Sequence, residues 1–259
     1  VGSVVFSSER MLGAEETLLR ASRTRGGPIL TEAAILRAAR RRDERGRRLA
    51  DDQLTALARI GGSGLVLDLL VGPAGTGKTT MLSALRRAWE QVHGRGSVMG
   101  LAPTAAAADV LGQELGVTAE NTIKFLYETD QATDRRAELE ALTRLLRGVS
   151  AVGGPADVWE ARLRAASPRV ADAAKKAGLL DPGRSSKSLE RMIRNRLDTL
   201  RNRIGQWQLQ PGQLLIVDEA AMVGTFALER LALEVHRARA KLLLVGDAAQ
   251  MQPIDSGGA

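Results

Sequence analysis

The residues best suited to chemistry lie at 72–80, GPAGTGKTT. Gly72, Gly77, Lys78 and Thr79 fall at the spacing G-x-x-x-x-G-K-[ST], between an apolar run and an amphipathic one. Strand, loop and helix thus follow one another as that motif requires. Glycines let the backbone curl until its N–H groups point at one centre, and a helix start adds positive partial charge there. The result is a cradle for phosphate oxygens, made by Gly72, Pro73, Ala74, Gly75, Thr76, Gly77, Lys78, Thr79 and Thr80. Lys78 can reach the outer phosphates of ATP, and the Thr79 hydroxyl can ligate Mg²⁺.

Two later segments supply complementary groups. LLIVDEA at 214–220 carries Asp218 to the end of an apolar strand, where open α/β sheets place their ligands. Asp218 is suited to hold Mg²⁺ through its water shell, and Glu219 to polarise an attacking water. Adjacent carboxylates beside a phosphate cradle favour hydrolysis over transfer to a second substrate. LLLVGDAAQMQPI at 242–254 ends another apolar strand at Gly246-Asp247, with Gln250 placed to read the γ-phosphate. A metabolite kinase would need a basic lid and would leave the DEA and GDxxQ segments without a purpose.

The elements that must position these groups follow from hydrophobic pattern. LVLDLLV at 65–71, SVMGLA at 97–102, QLLIVDE at 213–219 and KLLLVGD at 241–247 read as buried strands. Between them lie helical patterns at 79–94, at TAAAADVLGQELG and near 225–240. Alternating strands and helices predict an α/β fold around a mainly parallel sheet. AEETLLRAS and TEAAILRAARRRDERG read as N-terminal helices, broken by RGGP at 25–28, and DDQLTALARI as a third helix ending at Gly61-Gly62. Residues 127–210 are charged and mostly helical and read as an insertion between two strands, with SKSLERMIRNRLDTLRNRI as its longest helix.

Composition narrows the classes. The 259 residues contain no cysteine, so disulfide frameworks and thiolate metal sites are excluded, and a reducing, cytoplasmic setting is the default. His93 and His236 are the only histidines and read as structural, so a three-imidazole metal site is excluded as well. No apolar run approaches a membrane span, and the first ten residues do not read as a signal peptide. The formal charge of +7 favours polyanionic partners. Its excess sits in residues 1–64, with 12 basic and 8 acidic side chains, and in 127–210, with 16 and 11. The basic helix at 184–203 is either a DNA-backbone contact or a solvated face. With seven aromatic residues in all, a base-stacking platform is poorly supported; Trp89, Trp159 and Trp207 read as packing residues.

Taken in order, GPAGTGKTT, APTAAAA, TIKFL, IVDEA and VGDAAQMQPI resemble motifs I, Ia, Ib, II and III of superfamily 1 helicases. Within that group they are most similar to the RecD/TraI-like branch, superfamily 1B, and to the helicase portion of conjugative relaxases of the TraA/TrwC/TraI (MobF) kind. The resemblance covers about half the chain, roughly 49–126 and 211–258. It implies a P-loop, RecA-like ATP-binding domain over 49–259, preceded by a helical segment at 1–48 and interrupted by the insertion. It also implies a motor moving 5′→3′ on single-stranded DNA, with ATP as the only small-molecule substrate and no membrane insertion.

Residue by residue, the resemblance makes Gln53 an adenine contact and Gln250 the γ-phosphate sensor. It makes Pro103, Thr104, Thr122 and Lys124 contacts to single-stranded DNA. Plainer readings stand beside these: a helix-surface glutamine at 53, a helix cap after a strand at 103–104, and no functional role at 122 and 124. The family's second RecA-like domain, with motifs IV to VI and their catalytic arginines, would be a partner outside this chain, so the chain alone would be weak or inactive in hydrolysis. The alternatives are a nucleotide- and DNA-binding module with negligible turnover, or part of a stand-alone RecD-like helicase. The family's nicking chemistry, which needs three histidines and a tyrosine, is not expected in this segment.

Overall fold

The computed structural model describes residues 8–41, 48–73, 75–151, 156–181 and 186–247. Five strands, β1 (Leu67–Val71), β2 (Val98–Ala102), β3 (Thr118–Asn121), β4 (Leu214–Val217) and β5 (Lys241–Gly246), form one sheet in the order β1-β5-β4-β2-β3. Every neighbouring pair is parallel, with Leu69 opposite Leu244 and Ile216 opposite Leu243. β4 and β5 are buried along their whole length, which is why both read as unbroken apolar runs without alternation. The expected α/β architecture, a parallel sheet flanked by helices in the RecA-like P-loop manner, is thus borne out.

The crossovers set the two faces. α4 (Lys78–His93) carries the chain from β1 toward β2, and α5 (Ala105–Leu115) from β2 to β3, in the same direction across the sheet. Both pack on one face, where Met81, Leu82, Leu85 and Leu111 meet Val98, Leu214, Ile216 and Leu243. α3 (Asp51–Gly62) adds Leu57 and Ile60 to this core, and α2 (Glu32–Arg40) packs outside it on α3 and α4. α10 (Thr225–Ala238) returns from β4 to β5 in the opposite direction, so a right-handed crossover puts it on the other face. α1 (Glu9–Ala21) packs against α10. The reversal of direction leaves a crevice where β1, β5 and β4 end, the usual ligand position in such sheets.

The segment between α2 and α1 is stitched to the end of α3. Thr24, Gly26, Gly27 and Leu30 exchange backbone hydrogen bonds with Gly61, Gly64 and Val66. A Cβ on Gly27 would stand 2.3 Å from the Leu65 carbonyl oxygen, so only glycine permits this approach.

The chain divides into two compact units, one comprising the chain up to Leu126 together with the chain from Leu209 onward, the other Tyr127–Gln208. The second unit contains most of α6 (Thr122–Ala151), with α7 (Ala156–Ala166), α8 (Pro168–Lys176) and α9 (Ser186–Trp207). Its core gathers Leu142, Trp159, Leu163, Ala171, Ile193 and Leu197. Glu138 of α6 accepts hydrogen bonds from Arg196 Nε and Nη2 of α9 at 2.9 and 2.8 Å, and from Ser167 Oγ, the N-cap of α8, at 2.6 Å. Burial raises the Glu138 pKa, but the Arg196 and Ser167 hydrogen bonds outweigh it and hold the carboxyl below its ordinary range.

Two expectations are corrected. The longest helix of the described residues is α6, with 30 residues against 22 in α9. Its buried positions, Phe125, Leu126, Ala132 and Leu142, keep no single helical stripe, so the pattern did not reveal its length. β3, with the sequence TAEN, was not expected as a strand; it is a polar edge strand and lacks the apolar run that betrays the others. No helix among the described residues is long and apolar enough to cross a membrane.

Candidate functional site

The loop after β1 begins with Gly72, whose N–H donates to the Gly246 carbonyl at the end of β5 (3.2 Å). Gly75 and Gly77 then adopt φ of 79° and 78°, the left-handed region that side chains disfavour. Gly77 is the N-cap of α4, so the turn delivers the chain straight into that helix with its first N–H groups toward the loop. Thr76 Oγ1 donates to the Pro73 carbonyl at 2.8 Å and closes the turn from within. The Lys78 ammonium folds back to donate to the Gly72 and Pro73 carbonyls. Ala74 lies outside the described residues, and Thr80 is half-buried in the first turn of α4.

Asp218 stands one residue past β4, its N–H bonded to the Leu101 carbonyl of β2 at 2.9 Å. Its Oδ1 accepts the Glu219 N–H at 3.0 Å. Glu219 is exposed and held at φ 49°, a left-handed conformation that costs a non-glycine residue about 1–2 kcal/mol. Strain of this kind concentrates at functional positions.

These two loops share a cavity of about 380 Å³. Gly75, Gly77, Lys78 and Thr79 line it from one side, Asp218 and Glu219 from another, and Gly246 and Asp247 close it behind β5. Gln250 lies outside the described residues. Gly246 and Asp247 were legible as a strand end but not as wall residues; the signal was their place at the C-terminal end of a buried strand, the same end of the sheet as Asp218. A second cavity of about 270 Å³ on the other side of the loop is lined by Gln53, Ala56, Leu70, Pro73 and Lys78, among others.

Gln53 is committed at both ends of its amide. Oε1 accepts the Ala50 N–H at 3.2 Å and caps α3, while Nε2 donates to the Thr76 carbonyl at 3.0 Å. It therefore couples the start of α3 to the glycine-rich loop, a role the sequence reading did not anticipate.

The residues expected to meet DNA form a second constellation. Thr104 is exposed and caps α5 by accepting the Ala107 N–H at 3.1 Å. The Pro103 carbonyl accepts from Asn121 Nδ2 at 2.7 Å, and Asn121 Oδ1 accepts the Lys124 N–H at 3.0 Å. Asn121, absent from the expected set, thus joins the start of α5 to the start of α6. Lys124 is 54% exposed and pairs with Glu120 at 2.5 Å. Burial raises the Glu120 pKa, but the Lys124 hydrogen bond and the Asn121 N–H outweigh it, and the carboxyl titrates below its ordinary value. Thr122 requires a correction. It is 1% exposed and its hydroxyl donates to the Ala102 carbonyl at 3.0 Å, so it latches α6 to β2 and offers no surface to a strand of DNA.

His93 fills a structural position. Its Nε2 donates to the Ile29 carbonyl at 3.0 Å and its ring lies against Trp89, with centroids 4.9 Å apart. Trp89, Trp159 and Trp207 are all buried.

A parallel sheet with a glycine-rich loop after β1, and an acidic pair after β4 on the far side of β5, defines the class as a RecA-like P-loop α/β domain. The chain belongs to the AAA domain family, whose sequence profile matches residues 48–259. It is 27% identical over 212 residues to a probable conjugal transfer protein TraA of Sinorhizobium fredii, covering 82% of this chain and 12% of that protein. It is 25% identical over 257 residues to a conjugal transfer protein TraA of Rhizobium radiobacter, covering 98% of this chain and 16% of the relative. A conjugal transfer protein TraA of Agrobacterium fabrum matches at 27% over 212 residues, again 12% of its length. The chain thus spans 12 to 16% of these relatives. The expected resemblance to TraA-type proteins is borne out.

Proposed function

We propose that this chain is the ATP-binding part of an ATP-dependent 5′→3′ translocase on single-stranded DNA, serving conjugal transfer. The observation that carries this reading is the shared cavity of Lys78, Thr79, Asp218 and Glu219, with the glycine turn at its rim. The donor set suits a magnesium–nucleotide complex: backbone N–H groups and an ammonium for phosphate, hydroxyl and carboxylate oxygens for a hard cation. Thr79 and Asp218 would hold Mg²⁺, which would neutralise phosphate charge when bound.

In this reading Lys78 exchanges the Gly72 and Pro73 carbonyls for phosphate oxygens when nucleotide enters. Glu219, exposed at the strained turn, orients and deprotonates the attacking water. Gln53 faces the second cavity, where a purine edge would replace the Thr76 carbonyl as its partner. Gln250 would sense the γ-phosphate. Pro103, Thr104 and Lys124, gathered by Asn121, would follow the DNA backbone. Similarity to proteins named for conjugal transfer supports the biological setting. A second RecA-like domain of the parent protein would complete the motor.

The test is phosphate release from Mg·ATP with and without single-stranded DNA, using Lys78→Ala as the blank. Release above the blank that rises with DNA supports an active motor domain. Release equal to the blank, with retained binding of a non-hydrolysable ATP analogue, reduces the function to a nucleotide- and DNA-binding module. Loss of analogue binding altogether overturns the reading.

A further inference from the structure

Thr79 has a partner that does not line the cavity. Its Oγ1 donates to Glu114 Oε2 at 3.3 Å, across from α4 to the last turn of α5. The approach is built into the packing. Leu111 and Leu115 are buried in the same core as Met81, Leu82 and Leu85, which fixes α5 against α4 and holds Glu114, one residue before Leu115, beside the start of α4. Both Thr79 and Glu114 are exposed, so neither side chain is forced into the contact by burial. Nothing in motifs I to III points to position 114, which sits between a glutamine and a leucine near the end of an ordinary amphipathic helix.

A threonine hydroxyl has one proton and two lone pairs. When the proton is given to a carboxylate, the rotor stops and the lone pairs are left for a cation. The neighbouring negative charge also makes the oxygen a better donor, as outer carboxylates do for metal ligands generally. We infer that Glu114 is a positioning residue for Mg²⁺: it orients the Thr79 hydroxyl and raises the affinity of the nucleotide site for the metal without touching the metal or the nucleotide. This rests on the nucleotide-site reading given above.

The experiment measures binding, not turnover. A methylanthraniloyl-labelled ATP is titrated onto the full chain at a series of Mg²⁺ concentrations and in the metal-free state. For Glu114→Gln, the Mg²⁺ concentration giving half the tightening should rise about tenfold, the lower end for loss of such a partner. Affinity for the metal-free analogue should not change. Asp109→Asn removes another exposed carboxylate from the same helix and should leave the midpoint where it is in the wild type. Equal midpoints for Glu114→Gln and wild type overturn the inference while leaving the nucleotide site intact. An equal shift from Asp109→Asn overturns it too, because general surface charge would then be the cause. If the wild type binds no analogue at any Mg²⁺ concentration, the nucleotide-site reading itself fails and this inference falls with it.

Discussion

The amide nitrogen of Gln53 lies 2.3 Å from where a Cβ on residue 77 would stand. Gly77 is therefore required twice, for its positive φ and for the space its missing side chain leaves to α3. Gly77→Ala should cost about 1–2 kcal/mol from the left-handed backbone alone and should abolish tight nucleotide binding by displacing the loop. Adding Gln53→Ala removes the clash but not the φ penalty. Urea unfolding should show the double variant recovering part of the lost stability; no recovery would mean that Gln53 yields freely.

Glu219 carries strain that glycine would not. Glu219→Gly should stabilise the chain by about 1 kcal/mol, because the left-handed turn becomes free of Cβ conflict. On the proposed mechanism, Glu219→Gln should keep nucleotide binding and lose roughly 10²–10⁴ in turnover, the usual worth of a general base. Thermal melting and single-turnover phosphate release check the two halves separately.

Lys124 and Thr122 separate a surface role from an internal one. Lys124→Ala should weaken single-stranded DNA binding across sequences and reduce the salt dependence by about one ion. Thr122→Val should cost about 1 kcal/mol by removing the donor to the Ala102 carbonyl, with DNA affinity unchanged. Salt titrations of a fluorescent oligonucleotide would distinguish them, and a DNA defect in Thr122→Val would return that residue to the interface.

The helical unit should weaken in acid. Glu138 is held below its ordinary pKa of 4.5 in the folded state, so the unfolded chain takes up its proton first as pH falls. The stabilisation from this group is complete above pH 4.5 and is lost as pH drops through the folded value. Unfolding of the α6–α9 helices, followed by hydrogen exchange across that window, should show this slope. Glu138→Gln should flatten it.

Lys241, fully buried at the start of β5, lies 2.6 Å from Asp68 of β1 and also donates to Ser63 Oγ and the Leu65 carbonyl, both at 2.8 Å. Burial pushes the Lys241 pKa down, and the Asp68 hydrogen bond and charge oppose that shift. Lys241→Met leaves the buried Asp68 carboxylate without its counter-charge, with only the Ser63 hydroxyl still donating to it at 2.6 Å, and should cost about 3–5 kcal/mol. The pair Lys241→Met with Asp68→Leu should restore much of the loss, since an apolar replacement removes both desolvated charges. Urea unfolding of the single and double variants decides it.

The sequence by itself determined the local chemistry of this protein. Glycines at 75 and 77 before Lys78 dictate a turn into a helix, because few other residues tolerate that left-handed backbone. The apolar runs at 214–217 and 241–246 dictate fully buried parallel strands, whereas the equally apolar run at 67–71 forms a parallel strand that keeps Leu69 and Val71 exposed. What the sequence hid are the relationships between distant segments. Asp68 inside an apolar strand had no visible reason until register placed it near Lys241, and Gln53, Asn121 and Glu114 found partners only when helix packing brought the loops together. The polar strand β3 and the long helix α6 were hidden for a related reason: their burial is set by neighbours, not by their own periodicity. Local propensity is written residue by residue, whereas register and interhelical contact follow from how the whole core closes, and only the tertiary structure decides that.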